Sequence, residues 1–237
     1  MSKDGRCGVE IDEGLKTLSF VDIFEPLTEE ELSRIDWERI STDVKAGETF
    51  FTPLDQCETL FVLLTGRVRV FRRGVNGREF TLNVFGEGTV FGEMALTAQS
   101  LRNTYAQAVT DSKVAAMCRA DVERLMLEKP RVALQMVYLL SDRLFAYENR
   151  LEDLGVKEVP ARLAGMLLLL IETDGVRESD GYRLSGKYTH HQLGTMIGAN
   201  REAVTRAFKM LRETGAVQIE RRSIKARNLD LLRELAS

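Results

Sequence analysis

One short stretch of the chain carries polar side chains whose types and spacing suit the recognition of DNA bases. Arg201, Glu202 and Arg206 follow Asn200, a residue type favoured at the start of helices. Arginine can donate two hydrogen bonds to guanine, and glutamate can accept one from the amino group of cytosine. Side chains in the first two turns of a helix reach base edges when that helix enters the major groove. The stretch therefore predicts sequence-specific DNA binding.

The residues around this stretch predict two short helices joined by a tight turn. Thr189 and Gln192 have the spacing of a capping box, and Gly198 ends the first helix. Apolar residues three and four apart give each helix one buried side: Leu193, Met196 and Ile197, then Val204, Phe208 and Leu211. We expect DNA contacts from the polar residues of the pair: Thr189, His190, Asn200, Arg201, Glu202, Thr205, Arg206 and Lys209.

An ordinary solvated helical hairpin with a mixed-charge face is the alternative interpretation of this pair. The capping box, the turn glycine and the polar outward face together favour DNA binding. After the pair, Gly215 ends the second helix, and Val217–Glu220 and 223–227 predict a two-stranded wing. The basic residues expected to reach phosphates from this wing are Arg221, Arg222, Lys225 and Arg227. From Thr189 onward nine Lys or Arg oppose five Asp or Glu, about +4, which leaves about −7 for the preceding chain. This asymmetry is typical of a nucleic-acid-binding end on an acidic body.

Composition narrows the class of protein. A chain of 237 residues with 44% hydrophobic content predicts a globular protein of one or two domains. The longest apolar run, 166–171, is too short to cross a membrane, and the amino terminus lacks the apolar segment of a signal peptide, so we expect a cytoplasmic protein. Cys7, Cys57 and Cys118 are odd in number and far apart, which favours reduced thiols. The sequence has no recognisable catalytic constellation, and we do not expect an enzyme.

Residues 43–119 have the pattern of a small antiparallel β-structure. Runs of β-branched and aromatic residues predict strands at 49–51, 60–64, 67–72, 80–85 and 114–118. The run 67–72 alternates strictly, and Asn76-Gly77 is a strong hairpin signal. The regular spacing of glycine turns predicts a barrel or roll.

The remaining segments predict helices. We expect a short helix from Thr28 to about Ile40, another at 121–128, and a long one from Arg131 to about Leu154. The long helix has an apolar seam with the three-four spacing of a coiled coil: Val137, Leu140, Leu144, Tyr147, Leu151 and Leu154. The seam predicts either a dimer interface or a surface that packs on the roll. Residues 155–159 are the expected hinge, and Pro160 opens the next helix.

In this order the parts resemble the Crp–Fnr superfamily of bacterial transcription regulators, which includes cyclic AMP receptor proteins. The resemblance runs from about residue 20 to 230, and four motifs carry it: Gly66-Arg67-Val68, Phe91-Gly92-Glu93-Met94-Ala95-Leu96, Arg102-Asn103-Thr104 and residues 198–206. It implies an α+β fold: a loosely ordered arm at 1–18, a cyclic-nucleotide-binding-like β-roll at 19–130, a dimerisation helix at 131–155 and a winged helix-turn-helix at 156–237.

The resemblance also implies how DNA is bound. Arg201, Glu202 and Arg206 coincide with the base-contacting positions of the family, which implies half-sites similar to TGTGA. A homodimer would place its two recognition helices about 34 Å apart, on a palindromic operator. RNA polymerase is the further partner expected from the resemblance.

For an effector, the resemblance points to the roll. In members that bind cyclic AMP, a glutamate binds the ribose, and an arginine and the next residue bind the phosphate. These roles fall on Glu93, Arg102 and Asn103, with Gly92 and Met94 beside them. A helix after Gly92 would add backbone donors for a phosphate.

Two departures keep the identity and the existence of the effector open. Asn103 replaces a smaller residue, and Tyr147 occupies a position that holds adenine in the best-known member. Three possibilities for the effector stay open: cyclic AMP or a related nucleotide, a different effector, and no effector, with Tyr147 holding the active state. It also stays open that Glu93 and Arg102 simply pair with each other in a roll that binds no ligand. Three scattered cysteines do not fit an iron–sulfur cluster, and histidines only at 190 and 191 do not fit a haem in the roll. A cyclic-nucleotide-responsive signalling subunit without DNA binding is the alternative from another class.

Overall fold

The computed structural model describes residues 22–98, 101–220 and 223–237. The described residues form two compact units, one with the strands of the roll and the helix up to Arg143, the other with Gly74–Thr81 and the chain from Leu144 onward. The predicted arm at 1–18 lies outside the described residues. None of the described helices combines the length and the apolarity needed to cross a bilayer.

Two four-stranded sheets build the first unit, except that residues 79–81, the start of β5, belong to the second unit. One has the order β1-β8-β3-β6: Ser41–Val44, Ser112–Cys118, Thr59–Thr65 and Thr89–Phe91. The other has the order β2-β7-β4-β5: Thr49–Phe51, Tyr105–Ala108, Val68–Arg73 and Glu79–Phe85. The five predicted strands are confirmed to within two residues. The strands β1, β6 and β7 were not predicted, because segments of three or four residues carry too little periodicity to be recognised.

The α-helices that follow and precede these strands are α1 (Glu29–Ser33), α2 (Trp37–Ile40), α3 (Arg119–Glu128) and α4 (Pro130–Val156), and α4 continues into the second unit from Leu144. The prediction of one helix from Thr28 to Ile40 is wrong. Its capping box at Thr28 is present, but Asp36 caps a second short helix by accepting from the backbone N–H of Arg39 at 3.1 Å. On α4 the buried residues Val132, Met136 and Leu139 pack in one apolar cluster with residues of β3 and β8.

The second unit continues with α5 (Val159–Asp174), β9 (Gly175–Glu178), β10 (Gly181–Leu184), α6 (His190–Ile197), α7 (Arg201–Glu213), β11 (Val217–Glu220), β12 (Ser223–Ala226) and α8 (Leu229–Ala236). The hairpin β9-β10 and the predicted wing β11-β12 join in a single sheet of order β11-β12-β10-β9. The predicted hinge at 155–159 is too long, since α4 continues to Val156 and α5 begins at Val159. Only Lys157 and Glu158 lie between these helices.

Candidate nucleic-acid interface and effector site

The turn between α6 and α7 is built from a capping box and a close backbone approach. Thr189 accepts from the backbone N–H of Gln192 at 3.1 Å, and the Gln192 side chain accepts from the N–H of Thr189 at 2.8 Å. A Cβ atom on Gly194 would lie 2.6 Å from the carbonyl oxygen of Ala199, so this position requires glycine. Asn200 then caps α7 by accepting from the N–H of Ala203 at 2.7 Å. These contacts fix the start of α7 relative to α6.

The predicted inner and outer faces of α7 are confirmed. Val204, Phe208 and Leu211 are buried. The polar residues on the opposite side are exposed: Arg201, Glu202, Thr205, Arg206 and Lys209. We call these five exposed residues the reading face. The Lys209 ammonium nitrogen lies 3.8 Å from a carboxylate oxygen of Glu213. Arg201, Glu202 and Arg206 make no side-chain hydrogen bond or ion pair with another described residue, which leaves their donors and acceptors for another molecule.

His190, the first residue of α6, contacts α7. Its Nδ1 lies 2.8 Å from Thr205 Oγ1, and its ring stacks on Phe208 with 4.9 Å between ring centres. Burial and the charge of Arg201 lower the pKa of His190 from its ordinary value of 6.5. A neutral imidazole therefore bridges the two helices at neutral pH.

The carboxyl end of α6 is held by two arginines that sequence reasoning missed. Arg150 of α4 donates to the carbonyl oxygen of Met196, and Arg162 of α5 donates to that of Ile197 at 3.1 Å. Arg150 also donates to the carbonyl oxygen of Thr81 at 2.7 Å. The last carbonyls of a helix lack partners within it, and here guanidinium groups supply them. No sequence pattern marks these residues, because their partners are distant main-chain atoms.

The basic residues of the wing have partners inside the protein. Lys225 pairs with Glu178 at 2.7 Å and with Asp180, and Arg227 also pairs with Asp180. These carboxylates raise the pKa of Lys225 above its ordinary value. The expectation that Lys225 and Arg227 reach phosphates is therefore not favoured by their contacts. The other two predicted wing residues, Arg221 and Arg222, lie outside the described residues.

In the roll, Glu93 and Arg102 do not pair with each other. The Glu93 carboxylate accepts from Arg143 of α4 at 2.9 Å. Arg102 donates to the carbonyl oxygen of Gly92 at 2.9 Å and to that of Thr59. The alternative of a Glu93–Arg102 pair is wrong, because each group has a nearer partner.

Arg102 lies in a buried part of the roll that is rich in aromatic rings. Its guanidinium lies 4.3 Å from the ring centre of Phe51, and only 4% of the residue is exposed. Phe61, Phe85 and Phe91 continue this aromatic cluster between the sheets, with the Phe61 and Phe91 rings 5.0 Å apart. Burial lowers the pKa of Arg102.

The rest of the expected nucleotide site is incomplete in this arrangement. The helix expected after Gly92 is a four-residue turn of 3-10 helix, Glu93–Leu96, with Met94 half-buried within it. Asn103 is exposed, and Tyr147 is half-buried on α4. An open cleft elsewhere in the roll, lined by residues such as Thr49, Phe50 and Val114, includes none of these residues. As arranged, the Glu93 carboxylate and two nitrogens of Arg102 are engaged within the protein, whereas Arg102 Nε is buried without a hydrogen-bond partner among the described residues. The residues therefore do not fit that ligand without rearrangement.

The seam of α4 remains largely exposed. The exposed fraction is 55% for Val137, 40% for Leu140, 59% for Leu144 and 68% for Leu151. Tyr147 and Leu154 are half-buried. The alternative that the seam packs on the roll is wrong for Val137 and Leu140, because α4 uses Val132, Met136 and Leu139 for that contact. Among the described residues, these leucines and Val137 form an apolar stripe open to a partner.

Comparison with known proteins finds two families along the chain. Residues 41–129 match the cyclic nucleotide-binding domain, and residues 161–235 match the Crp-like helix-turn-helix domain. The cyclic AMP receptor protein of Thermus thermophilus is 33% identical over 190 residues, which cover 80% of this chain and 85% of that protein. The global nitrogen regulator of Synechocystis is 32% identical over 184 residues, which cover 77% of this chain and 82% of that protein. The solved structure of a transcriptional regulator of the CRP/FNR family from Thermus thermophilus aligns with a TM-score of 0.70 and 28% identity. The alignment covers 83% of this chain and 97% of that chain.

Proposed function

The chain belongs to the Crp–Fnr superfamily of DNA-binding transcription regulators, and from this premise we propose that it binds palindromic operators as a homodimer. The observation that carries the proposal is the reading face. Arg201, Glu202 and Arg206 lie in the first two turns of α7, exposed and without partners among the described residues. These turns are the part of a recognition helix that meets base edges in the major groove.

The expected half-site follows from the chemistry of these three residues and from the family. Each arginine can donate two hydrogen bonds to a guanine, and Glu202 can accept from a cytosine of the complementary strand. Half-sites similar to TGTGA offer both base types. His190 and Asn200 flank the reading face, and Thr189 caps the helix before it.

The dimer is supported by the seam of α4. Leu140, Leu144 and Leu151 are exposed at coiled-coil spacing on a helix of 27 residues. A parallel pairing of two such helices would bury this stripe and relate two reading faces by a two-fold axis. A two-fold axis in the protein requires a palindrome in the DNA.

For the effector, we propose that operator binding does not require cyclic AMP. The carboxylate of Glu93 is paired with Arg143, and Arg102 donates to two main-chain carbonyls. Tyr147 would then stabilise the active state from the seam. Control by a cyclic nucleotide is the second candidate, supported by the domain match at 41–129 and by the cyclic AMP receptor protein among the relatives. We further propose that the regulator acts in the cytoplasm and contacts RNA polymerase, as the family resemblance implies.

Fluorescence anisotropy tests the proposal. The full chain is titrated into a labelled TGTGA palindrome and into a scrambled duplex at one salt concentration, with and without cyclic AMP. Phosphate contacts alone do not distinguish the duplexes, whereas base contacts do. We expect at least about a thousandfold preference for the palindrome, unchanged by the nucleotide. A preference for the palindrome that appears only with cyclic AMP refutes the proposal that operator binding does not require the nucleotide. Equal binding to both duplexes refutes the proposed half-site sequence.

Reversing the charge of Arg201 distinguishes a DNA-binding regulator from a cyclic-nucleotide-responsive signalling subunit without DNA binding. Arg201→Glu should abolish the preference for the palindrome, because it places a carboxylate against the groove. Arg212→Glu makes the same change at an exposed position on the last turn of α7 and is the matched control. If both variants bind the palindrome as the wild type does, the reading face is not the DNA interface.

A further inference from the structure

The hydroxyl group of Thr205 has its hydrogen-bonding capacity largely used inside the protein. Thr205 Oγ1 donates to the carbonyl oxygen of Arg201 at 2.9 Å, one turn earlier in α7. A hydroxyl has a single proton to donate. With that proton directed to Arg201, the hydroxyl cannot also donate to a base.

The hydrogen bond from Thr205 to Arg201 also determines which ring nitrogen of His190 carries the proton. His190 Nδ1 lies 2.8 Å from the same Thr205 oxygen, so one of the two atoms must donate. Because the threonine proton is already used, Nδ1 carries the hydrogen and Thr205 accepts it. Stacking of the imidazole on Phe208 holds the ring in this position.

Besides its hydroxyl, the Thr205 side chain carries a methyl group, which takes no part in these hydrogen bonds. Thr205 is exposed between Arg201 and Arg206 on the reading face. A side chain that cannot donate cannot recognise guanine O6 or N7, adenine N7 or thymine O4 through a donated bond. A methyl group can instead contact the 5-methyl group of thymine.

We propose that Thr205 selects thymine through its methyl group, and that His190 is the positioning residue that keeps the Thr205 hydroxyl turned away from the DNA. This inference rests on the proposed function, since it requires α7 to lie in the major groove. It adds a base preference to the positions read by the charged residues. The lowered pKa of His190 is consistent with a neutral, internally bonded imidazole.

Uracil substitution tests the thymine contact, because uracil differs from thymine only by the missing methyl group. A selected palindromic operator is prepared with each thymine replaced in turn by uracil, symmetrically in both half-sites. The wild type, Thr205→Val and Thr205→Ser are compared by anisotropy. Valine keeps the methyl group and lacks the hydroxyl, whereas serine keeps the hydroxyl and lacks the methyl group.

We expect one uracil position to weaken binding of the wild type and of Thr205→Val by about fourfold per half-site, the effect of one buried methyl group. Thr205→Ser should be insensitive to uracil at that position. The proposal is overturned if the serine variant keeps the wild-type sensitivity, if valine loses it, or if no uracil position affects the wild type. Loss of the preference for the operator over a scrambled duplex is a different result, and it refutes the proposed function itself.

Variants of His190 test the positioning role. His190→Asn retains an N–H donor for Thr205 and should keep the uracil sensitivity. His190→Leu removes the donor and frees an acceptor site on Thr205, which can then accept from the amino group of adenine or cytosine. We expect the leucine variant to bind thymine, adenine and cytosine at this position with less discrimination. A leucine variant with unchanged base preference and unchanged thermal stability contradicts the role of His190.

Discussion

At the scale of single residues, polar groups in the second unit differ in where their hydrogen bonds go. The arginines that support α6, Arg150 and Arg162, donate to main-chain carbonyls of the protein. Lys225 of the wing is paired with two carboxylates. Arg201 and Arg206 have no such partner among the described residues. Buried or paired cations support the fold, whereas unpaired cations on an exposed helix face are available to an anionic ligand such as DNA.

His190 makes the stability of the second unit depend on pH. Its folded-state pKa lies below 6.5, because burial and Arg201 disfavour the charged imidazole. The unfolded chain therefore binds this proton at a higher pH than the folded chain does. Its contribution is fully present above about pH 6.5 and is lost as the pH falls towards the folded-state value.

We expect the thermal unfolding midpoint of this unit to decrease between about pH 7 and pH 5. His190→Asn, which does not titrate, should remove part of that decrease. Differential scanning calorimetry over this range measures both proteins. Parallel pH profiles for the wild type and the variant would show that His190 is not responsible.

At the scale of elements, the turn of the helix pair depends on Gly194. A Cβ atom there would lie 2.6 Å from the carbonyl oxygen of Ala199, which is main chain and cannot move independently. Gly194→Ala should destabilise the second unit by about 1–3 kcal/mol, as overpacking does. Operator affinity should also fall, because α7 shifts relative to α6.

Gly165→Ala is the matched control for this substitution. The nearest atom to a Cβ at Gly165 is the Cβ of Ala236 at 3.9 Å, and Gly165 lies within α5. Alanine is favoured over glycine in a helix by about 0.5–1 kcal/mol, so this variant should be slightly stabilised. Urea unfolding measures both variants. Equal stability of the two variants would contradict the steric account of Gly194.

The seam of α4 predicts the oligomeric state. Leu144→Asp places a charge in the proposed dimer interface and should convert the dimer to a monomer, as seen by light scattering. Leu127→Asp makes the same change on α3 at a leucine that is 83% exposed and outside the seam. The control should remain a dimer. A wild-type protein that is already monomeric at micromolar concentration would refute the interface.

The elements that could be predicted from the sequence are those with local signals. The capping box at Thr189, the apolar spacing in α7 and the glycine-bounded strands of the roll depend on neighbouring residues, and all are present. The short strand β1, the pairs made by Lys225 and the Glu93–Arg143 contact depend on residues far apart in the chain. Sequence patterns do not record such partners. The helix α8 was also missed, although Asn228 caps it by accepting from the N–H of Leu231 at 3.0 Å.

At the scale of the whole molecule, the chain joins a domain that matches cyclic nucleotide-binding domains to one that matches Crp-like helix-turn-helix domains. The basic residues concentrate in the second part, with nine Lys or Arg against five acidic residues from Thr189 onward. The proposed dimer would carry two copies of the reading face. Its operator must then present two half-sites on the same face of the duplex, one helical turn apart.

The most direct test of this account is the dependence of affinity on half-site spacing. Anisotropy compares a selected palindrome with the same palindrome carrying five extra central base pairs, about half a helical turn. A scrambled duplex is measured at the same salt concentration. We predict tight binding to the native spacing alone, because the extra base pairs move one half-site to the opposite face of the DNA. Equal affinity for both spacings would contradict a two-fold dimer that reads both half-sites together.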